Sequence, residues 1–183
     1  MRALLVAGAV AALATKAGAE PLPRYSIGAE GGGISGTGSD ATSLGFGWLG
    51  GAQAALQPIA TEHRWGYSIK WSVEWGRMYG GDAARITDPL YLLQMDVLGG
   101  IRIRPGDNPN RYLTLRAGGT LLRTNQLVPP NMQRAFAGGV ATIGFDQYLW
   151  GAAVLINVDV RFGVIGDGPA TLGLVFGFSK TGS

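Results

Sequence analysis

The sequence predicts an all-β fold, an eight-stranded antiparallel up-and-down β-barrel that crosses a membrane, and three observations lead to it. Residues 64–76 alternate strictly between bulky apolar side chains and small or charged ones, which is the period of a β-strand with two unlike faces. Eight segments have strand-type composition, and most of them contain 11 to 15 residues. Strands of soluble proteins usually contain about 5 to 6 residues, whereas a tilted membrane-spanning strand needs about 9 to 11.

The amino terminus has the features of a cleavable signal peptide over residues 1–19. Arg2 supplies a positive charge, residues 3–14 form an apolar run, and Ala-Gly-Ala at 17–19 fits a cleavage site. The run of 12 residues is shorter than the roughly 20 that a membrane-spanning helix needs. We therefore expect an exported protein in which residues 20–183 form a single barrel domain.

The amino-acid composition excludes several kinds of site and partner. The chain has no cysteine, one histidine and 15% charged residues, so disulfides and thiolate metal sites are excluded. The net charge of +3 is scattered, without the basic stripe that follows a phosphate backbone. We expect no nucleic-acid partner, no metal and no cofactor.

Turn and loop signals of Gly, Pro, Asn, Asp and Ser separate the eight segments. Longer connections alternate with shorter ones, as in outer-membrane barrels whose short turns face the periplasm. The longer connections cover residues 35–42, 79–89, 124–133 and 163–169, and the tighter turns cover 105–110 and 146–147. Residues 57–63 fit this pattern less well, because they form a connection longer than a periplasmic turn usually is. The predicted strands cover residues 24–34, 43–56, 64–78, 90–104, 111–123, 134–145, 148–162 and 170–179.

The alternation also predicts which face of each strand meets lipid. One parity carries bulky apolar side chains in seven of the strands; they are too many and too large for the interior of eight strands. Ionised residues occupy the other parity, and a lysine or arginine facing lipid near the midplane costs about 2 to 4 kcal/mol. The apolar face is therefore expected to point outward.

The chain resembles the small eight-stranded bacterial outer-membrane β-barrel proteins, such as the transmembrane domain of outer-membrane protein A and its shorter relatives. The resemblance rests on the signal peptide, the strand number, the alternation and the last strand, Leu-Gly-Leu-Val-Phe-Gly-Phe at 172–178. It implies an outer-membrane location, contact with outer-membrane lipid and recognition of the final strand by the barrel assembly machinery. A monomer is expected.

Charged residues on the inward parity predict a lumen closed by ion pairs, because a buried charge without a partner is expensive. Lys70 is expected close to Asp96, with Arg116 within diagonal reach of Asp96. A narrow channel for a small solute remains an alternative, as does a secreted soluble barrel of the lipocalin or avidin type that binds a hydrophobic ligand. The predicted lumen network consists of Glu30, Lys70, Glu74, Asp96, Arg102, Arg116, Asp159 and Arg161.

Four arginines are predicted at the extracellular ends or loops of strands three to six: Arg77, Arg85, Arg123 and Arg134. Guanidinium groups bind phosphate in a bidentate way, and the outer leaflet carries phosphorylated lipopolysaccharide. These residues are candidates for lipopolysaccharide contact, with a solvated rim as the simpler interpretation.

No catalytic arrangement is recognised. His63, the only histidine, is predicted in a periplasmic turn, and neither a nucleophile elbow nor metal-ligand spacing is present. Trp65, Trp75 and Trp150 are expected in the interfacial aromatic girdles and Trp71 nearer to mid-depth. The sequence thus predicts a non-enzymatic outer-membrane barrel, with a plugged lumen and short surface loops, that acts as a structural or interaction scaffold.

Overall fold

The computed structural model describes residues 23–37, 45–58, 64–79, 90–128, 133–149, 153–164 and 170–182. These residues form one closed barrel of eight antiparallel strands in sequence order, with β1 also paired to β8, so the predicted fold class is confirmed. The strands are β1 (Pro23–Thr37), β2 (Phe46–Pro58), β3 (Trp65–Met78), β4 (Leu90–Ile103), β5 (Arg111–Val128), β6 (Gln133–Leu149), β7 (Val154–Val164) and β8 (Ala170–Gly182). The predicted signal peptide lies outside the described residues.

The two ends of the barrel differ. We call the end where β1 begins and β8 finishes the terminal end, and the opposite one the loop end. The β4–β5 connection at the terminal end is a tight turn over residues 104–110, as predicted. Gly106 has a φ of 78° there, a backbone conformation that glycine adopts without a steric penalty.

The predicted turn at residues 146–147 is wrong. Asp146 pairs with Tyr112 and with Asn157, so β6 continues through this position to Leu149. Aspartate is a common turn residue, but inside a barrel it can also face a polar lumen without ending the strand. β5 is likewise longer than expected and reaches Val128, with an irregular register after Arg123.

The predicted orientation of the faces is confirmed. Large apolar side chains such as Trp71, Val97 and Phe176 are exposed on the outside of the barrel, while Lys70 and Glu74 are buried inside it. No helix in the described part of the chain is long and apolar enough to cross a bilayer.

The lumen contains three layers. At the loop end, an apolar layer that the sequence did not predict is formed by Ile34, Leu49, Met78, Leu90, Leu92 and Leu122. Charged and amide side chains occupy the middle. At the terminal end, Tyr112, Tyr148 and Leu155 form an aromatic layer.

Inward glycines allow neighbouring strands to approach closely where the barrel curves. A Cβ atom at Gly51 would overlap the backbone of Val73 and Glu74, and one at Gly32 would overlap the backbone of Leu174. These positions are filled by neighbouring backbone, which fits the interpretation that glycine lets the sheet curve tightly.

Candidate functional site

The middle of the lumen contains a cluster of buried charges. All eight residues predicted for the network are buried inside the barrel, and the structure adds Asp146. Among the described residues the fully buried charged side chains are therefore five acids and four bases: Glu30, Glu74, Asp96, Asp146, Asp159, Lys70, Arg102, Arg116 and Arg161.

Arg161 on β7 is surrounded by carboxylates from three other strands. Its Nη1 donates to Oε2 of Glu74, and its Nη2 lies 3.4 Å from Oδ2 of Asp96 and 3.8 Å from Oε1 of Glu30. One guanidinium thus ties β7 to β1, β3 and β4.

Lys70 and Arg116 form the second half of the network around Asp159. The Nζ atom of Lys70 lies 2.6 Å from Oε2 of Glu30 and 2.8 Å from Oδ2 of Asp159. Arg116 donates to Oδ1 of Asp159 at 3.0 Å and to Oδ2 of Asp146 at 3.1 Å. The two halves are joined because Glu30 contacts both Lys70 and Arg161.

The predicted partners of Lys70 and Arg116 were wrong. Lys70 contacts Glu30 and Asp159 rather than Asp96, and the carboxylates bound by Arg116 are Asp146 and Asp159. The sequence-based prediction considered only neighbours on the sheet. In a barrel of eight strands the interior is narrow enough for side chains to meet across it, so β3 reaches β7 on the opposite wall.

Neutral polar groups extend this network to every strand. Gln53 on β2 donates to Asn157 on β7 at 2.8 Å and to Ser179 on β8 at 3.0 Å, and Asn157 donates to Asp159 at 3.1 Å. Towards the terminal end, Tyr148 donates to Gln57 at 2.6 Å and Gln57 donates to Asp146 at 3.2 Å. The network therefore cross-links the whole circumference.

Arg102 is the predicted network residue that the structure keeps apart from the carboxylates. It is 0% exposed, and its guanidinium has no hydrogen-bond partner among the described residues. Its Cζ atom lies 3.8 Å from the ring centroid of Tyr112 and 5.3 Å from that of Tyr148. Aromatic faces attract a guanidinium through their quadrupole, so the terminal-end layer holds this cation by ring contacts.

The polar side chains in the middle of the lumen mainly form ion pairs and hydrogen bonds with one another. The described residues contain no group of three or more histidine, aspartate or glutamate side chains arranged to hold a metal ion. His63 lies outside the described residues, so its predicted role has no structural outcome.

The loop-end rim carries a second arrangement on the outer surface. Trp75 on β3 stacks on Tyr91 of β4 with ring planes 7° apart, and Trp48 of β2 meets Trp75 edge-on. The guanidinium of Arg77 lies 4.9 Å from the ring of Tyr79 and 6.0 Å from the ring of Tyr91. Aromatic rings and a cation thus occupy the same edge of the barrel.

A shallow groove of about 200 Å³ runs beside this aromatic group. Trp75, Tyr91 and Leu93 line it on one side and Arg123 and Asn125 on the other. Asn125 is held in place because its Oδ1 accepts a hydrogen bond from the backbone N–H of Tyr91 at 2.9 Å. We call this groove, together with Arg77, the rim groove.

The four arginines predicted at this end do not form one cluster. Arg77 and Arg123 share the outer face, and β4 lies between their strands. Arg134 is exposed, but it has the parity of the lumen face. It is the chain neighbour of Ala135, which pairs with Arg123. Arg85 lies outside the described residues.

The described tryptophans lie on the outer surface. Trp65 is at the terminal-end start of β3, Trp75 is near the loop end and Trp71 lies between them, in agreement with the predicted depths. Trp150 lies outside the described residues.

Comparison with known proteins identifies the fold. No protein-family model matches the chain, and no curated protein sequence matches it either. The structure of Ail, the attachment invasion locus protein of Yersinia pestis, is similar with a TM-score of 0.61 and 12% sequence identity, covering 87% of this chain and 99% of Ail. Ail in complex with the heparin analogue sucrose octasulfate gives a TM-score of 0.59, 11% identity and the same coverage.

Neisserial surface protein A is similar with a TM-score of 0.56 and 10% identity, covering 85% of this chain and 96% of that protein. Both neighbours are small outer-membrane β-barrels. The chain therefore has the fold of the eight-stranded outer-membrane barrels, and its apolar exterior agrees with an outer-membrane location.

Proposed function

We propose that the protein is an integral outer-membrane barrel with its termini in the periplasm, and that it acts without catalysis as a scaffold contacting lipopolysaccharide through the rim groove. The observation that carries this proposal is the placement of Arg77 and Arg123 beside an aromatic wall at the upper edge of the apolar exterior.

The chemistry of the rim groove suits a phosphorylated lipid. Arg77 and Arg123 lie two strands apart, which corresponds to about 10 Å across the sheet, and Arg123 is offset by two residues along the strands towards the terminal end. Each can bind a phosphate oxygen through a charge-assisted hydrogen bond. Below them Met95 and Leu121 continue the outer face, where acyl chains would pack. A phosphate above and hydrocarbon below describe lipid A.

The complex of Ail with sucrose octasulfate concerns a protein of the same fold and a densely anionic ligand. It supports the idea that barrels of this shape can present cations to a polyanion. For this chain we favour lipopolysaccharide over a soluble sulfated sugar, because the rim groove opens onto the lipid-facing surface rather than onto the loops alone.

Replacement of both arginines tests the rim groove. We expect Arg77→Gln with Arg123→Gln to weaken binding of lipid A to the refolded barrel at least about tenfold, because charge-assisted hydrogen bonds are worth about 1.5 to 3 kcal/mol each. Binding is measured by titrating lipid A into detergent-solubilised protein, with retention of the heat-modifiable gel shift as the check on folding.

The matched control removes the same charge from the other end of the barrel. Arg64 and Arg111 are exposed at the terminal end, so Arg64→Gln with Arg111→Gln should leave lipid A binding unchanged. Equal binding by the rim-groove variant and the wild type would contradict the proposed contact, and equal weakening by both variants would reduce it to non-specific attraction.

We also propose that the lumen is closed to solutes. The apolar layer, the charged network and the aromatic layer occupy successive depths, and this supports a plug rather than a channel. Purified wild-type protein in a planar bilayer should give no steady ion conductance. Robust conductance would instead favour the narrow-channel alternative.

The proposal also includes recognition by the barrel assembly machinery and a monomeric state. β8 directs Leu174, Phe176 and Phe178 outward, which supports recognition of this strand by the barrel assembly machinery. We propose a monomer. A secreted soluble barrel is not proposed, because it would expose the same apolar band to water.

A further inference from the structure

The buried charges of the lumen do not balance among the residues that the structure describes. The described part of the barrel buries five carboxyl groups and four cations, and one cation, Arg102, lies on aromatic rings rather than on a carboxylate. An unneutralised charge in a low-dielectric interior is costly, and carboxyl groups avoid that cost by binding a proton.

The excess of acid is concentrated around Arg161. This single guanidinium faces Glu30, Glu74 and Asp96. Lys70 also contacts Glu30, but it shares its charge with Asp159. Three carboxyl groups therefore share the positive charge of Arg161 and only part of the positive charge of Lys70.

The position of Gln94 indicates which carboxyl group binds a proton. It is buried and faces Glu74 directly across the β3–β4 ladder. Its Nε2 donates to both oxygens of Asp96, at 3.0 and 3.2 Å, which orients the amide and identifies Oε1 as its acceptor end. Neither Oε1 of Gln94 nor Oε1 of Glu74 has a hydrogen-bond donor in the described structure.

We propose that Glu74 is a proton-binding site inside the membrane. The proton resides on Oε1 of Glu74 and is donated to Oε1 of Gln94, while Oε2 of Glu74 continues to accept from Arg161. One proton satisfies both orphan acceptors. It also leaves four carboxylates against four cations in the described lumen. The site does not depend on the proposed role of the rim groove.

The charged groups around Glu74 favour protonation of its carboxyl group. The charged groups that face it are Glu30 from β1, Asp96 from β4 and Arg161 from β7, with Lys70 four residues away on the same face of β3. On the β2 side its cross-strand neighbour is Gly51, which contributes no side chain.

The test compares Glu74→Gln, which imitates the protonated acid, with the wild type across pH. If native Glu74 carries a proton that the unfolded chain has released, stability of the wild type falls as pH rises above the ordinary titration range of glutamate, about pH 4.3. Glu74→Gln lacks this loss. We therefore expect the ratio of its unfolding equilibrium constant in urea to that of the wild type to fall by up to about tenfold per pH unit.

Asp159→Asn is the matched control, because Asp159 binds two cations and needs no proton. It should be less stable than the wild type by the same factor at each pH above the titration range of aspartate. A Glu74→Gln variant that is destabilised by a pH-independent factor would overturn the proposal.

Infrared spectroscopy provides a readout that does not need the Glu74 variant to fold. Wild-type protein labelled with isotopic glutamate should show the carbonyl band of a protonated glutamic acid, and the band should shift in Gln94→Met, which removes the acceptor of that proton. Absence of the band, or a band that Gln94→Met leaves unchanged, would overturn the assignment. So would a wild-type stability that rises with sodium but not with choline at equal chloride concentration, because that result would place a metal cation in the site.

Discussion

The middle of the lumen and its terminal end each bury an arginine on the same wall of the barrel, but they hold it differently. Arg116 donates to Asp146, Asp159 and the hydroxyl of Ser68. Arg102, across the β4–β5 ladder and two residues nearer the terminal end, contacts the rings of Tyr112 and Tyr148. One guanidinium is part of a charge network, and the other lies on an aromatic surface.

This difference determines what each arginine leaves behind when it is removed. Carboxylates that lose a cation stay buried and ionised, or must take up protons, and both outcomes are costly. Aromatic rings that lose a cation remain neutral and well packed. The number of contacts is therefore less important than the charge state of the partners.

The largest effect is expected from Arg116→Met. It leaves Asp146 and Asp159 without their shared cation, so we expect the free energy of unfolding to fall by about 3 to 5 kcal/mol. Urea unfolding of the refolded barrel in lipid vesicles, followed by tryptophan fluorescence, measures it. Adding Asp146→Asn to Arg116→Met should restore part of the loss, and a double variant as unstable as the sum of the single ones would contradict the proposed coupling.

A smaller effect is expected from Arg102→Met in the same assay. The loss of the ring contact should cost less than about 2 kcal/mol, and the methionine side chain can pack on Tyr112 and Tyr148. If Arg102→Met were as damaging as Arg116→Met, the ring contacts could not account for how Arg102 is held, and the contrast between the two ends would be lost.

The smallest effect is expected from Tyr148→Phe, which keeps the ring under Arg102 and removes the hydroxyl that donates to Gln57 at 2.6 Å. One lost hydrogen bond corresponds to about 1 kcal/mol. Tyr67→Phe on the outer parity of β3 is the control and should change stability less. Equal effects of the two substitutions would show that the link between the aromatic layer and the charged network contributes nothing.

The sequence was sufficient where one face of a strand is uniformly apolar. Trp71 and Val73 on β3 identify the outward parity, and Lys70 and Glu74 follow as inward residues. It was insufficient on β6, where small residues such as Ala141 and Gly144 occupy both parities and hide the strand's continuation. Counting parity from Thr142 would have placed Asp146 in the lumen, but Asp146 followed by Gln147 was interpreted as a turn.

The rim groove was partly predictable. The alternation that orients β3 and β5 places Arg77 and Arg123 on the outer face. On β6 the alternation is hidden, and only the structure puts Arg134 on the lumen parity. The aromatic wall of Trp75 and Tyr91 was not predicted, because it depends on the β3–β4 register. A shift of one residue in that register would separate the rings.

By itself, the sequence determined the barrel, its strand number and the side that faces lipid, because a period of two and the cost of exposing charge to hydrocarbon act on each strand independently. Only the tertiary structure decided which charges meet. Lys70 reaches Asp159, and Arg161 reaches Glu74, because closure of eight strands brings opposite walls within the length of one side chain. The same closure placed the fifth acid, Asp146, among the cations.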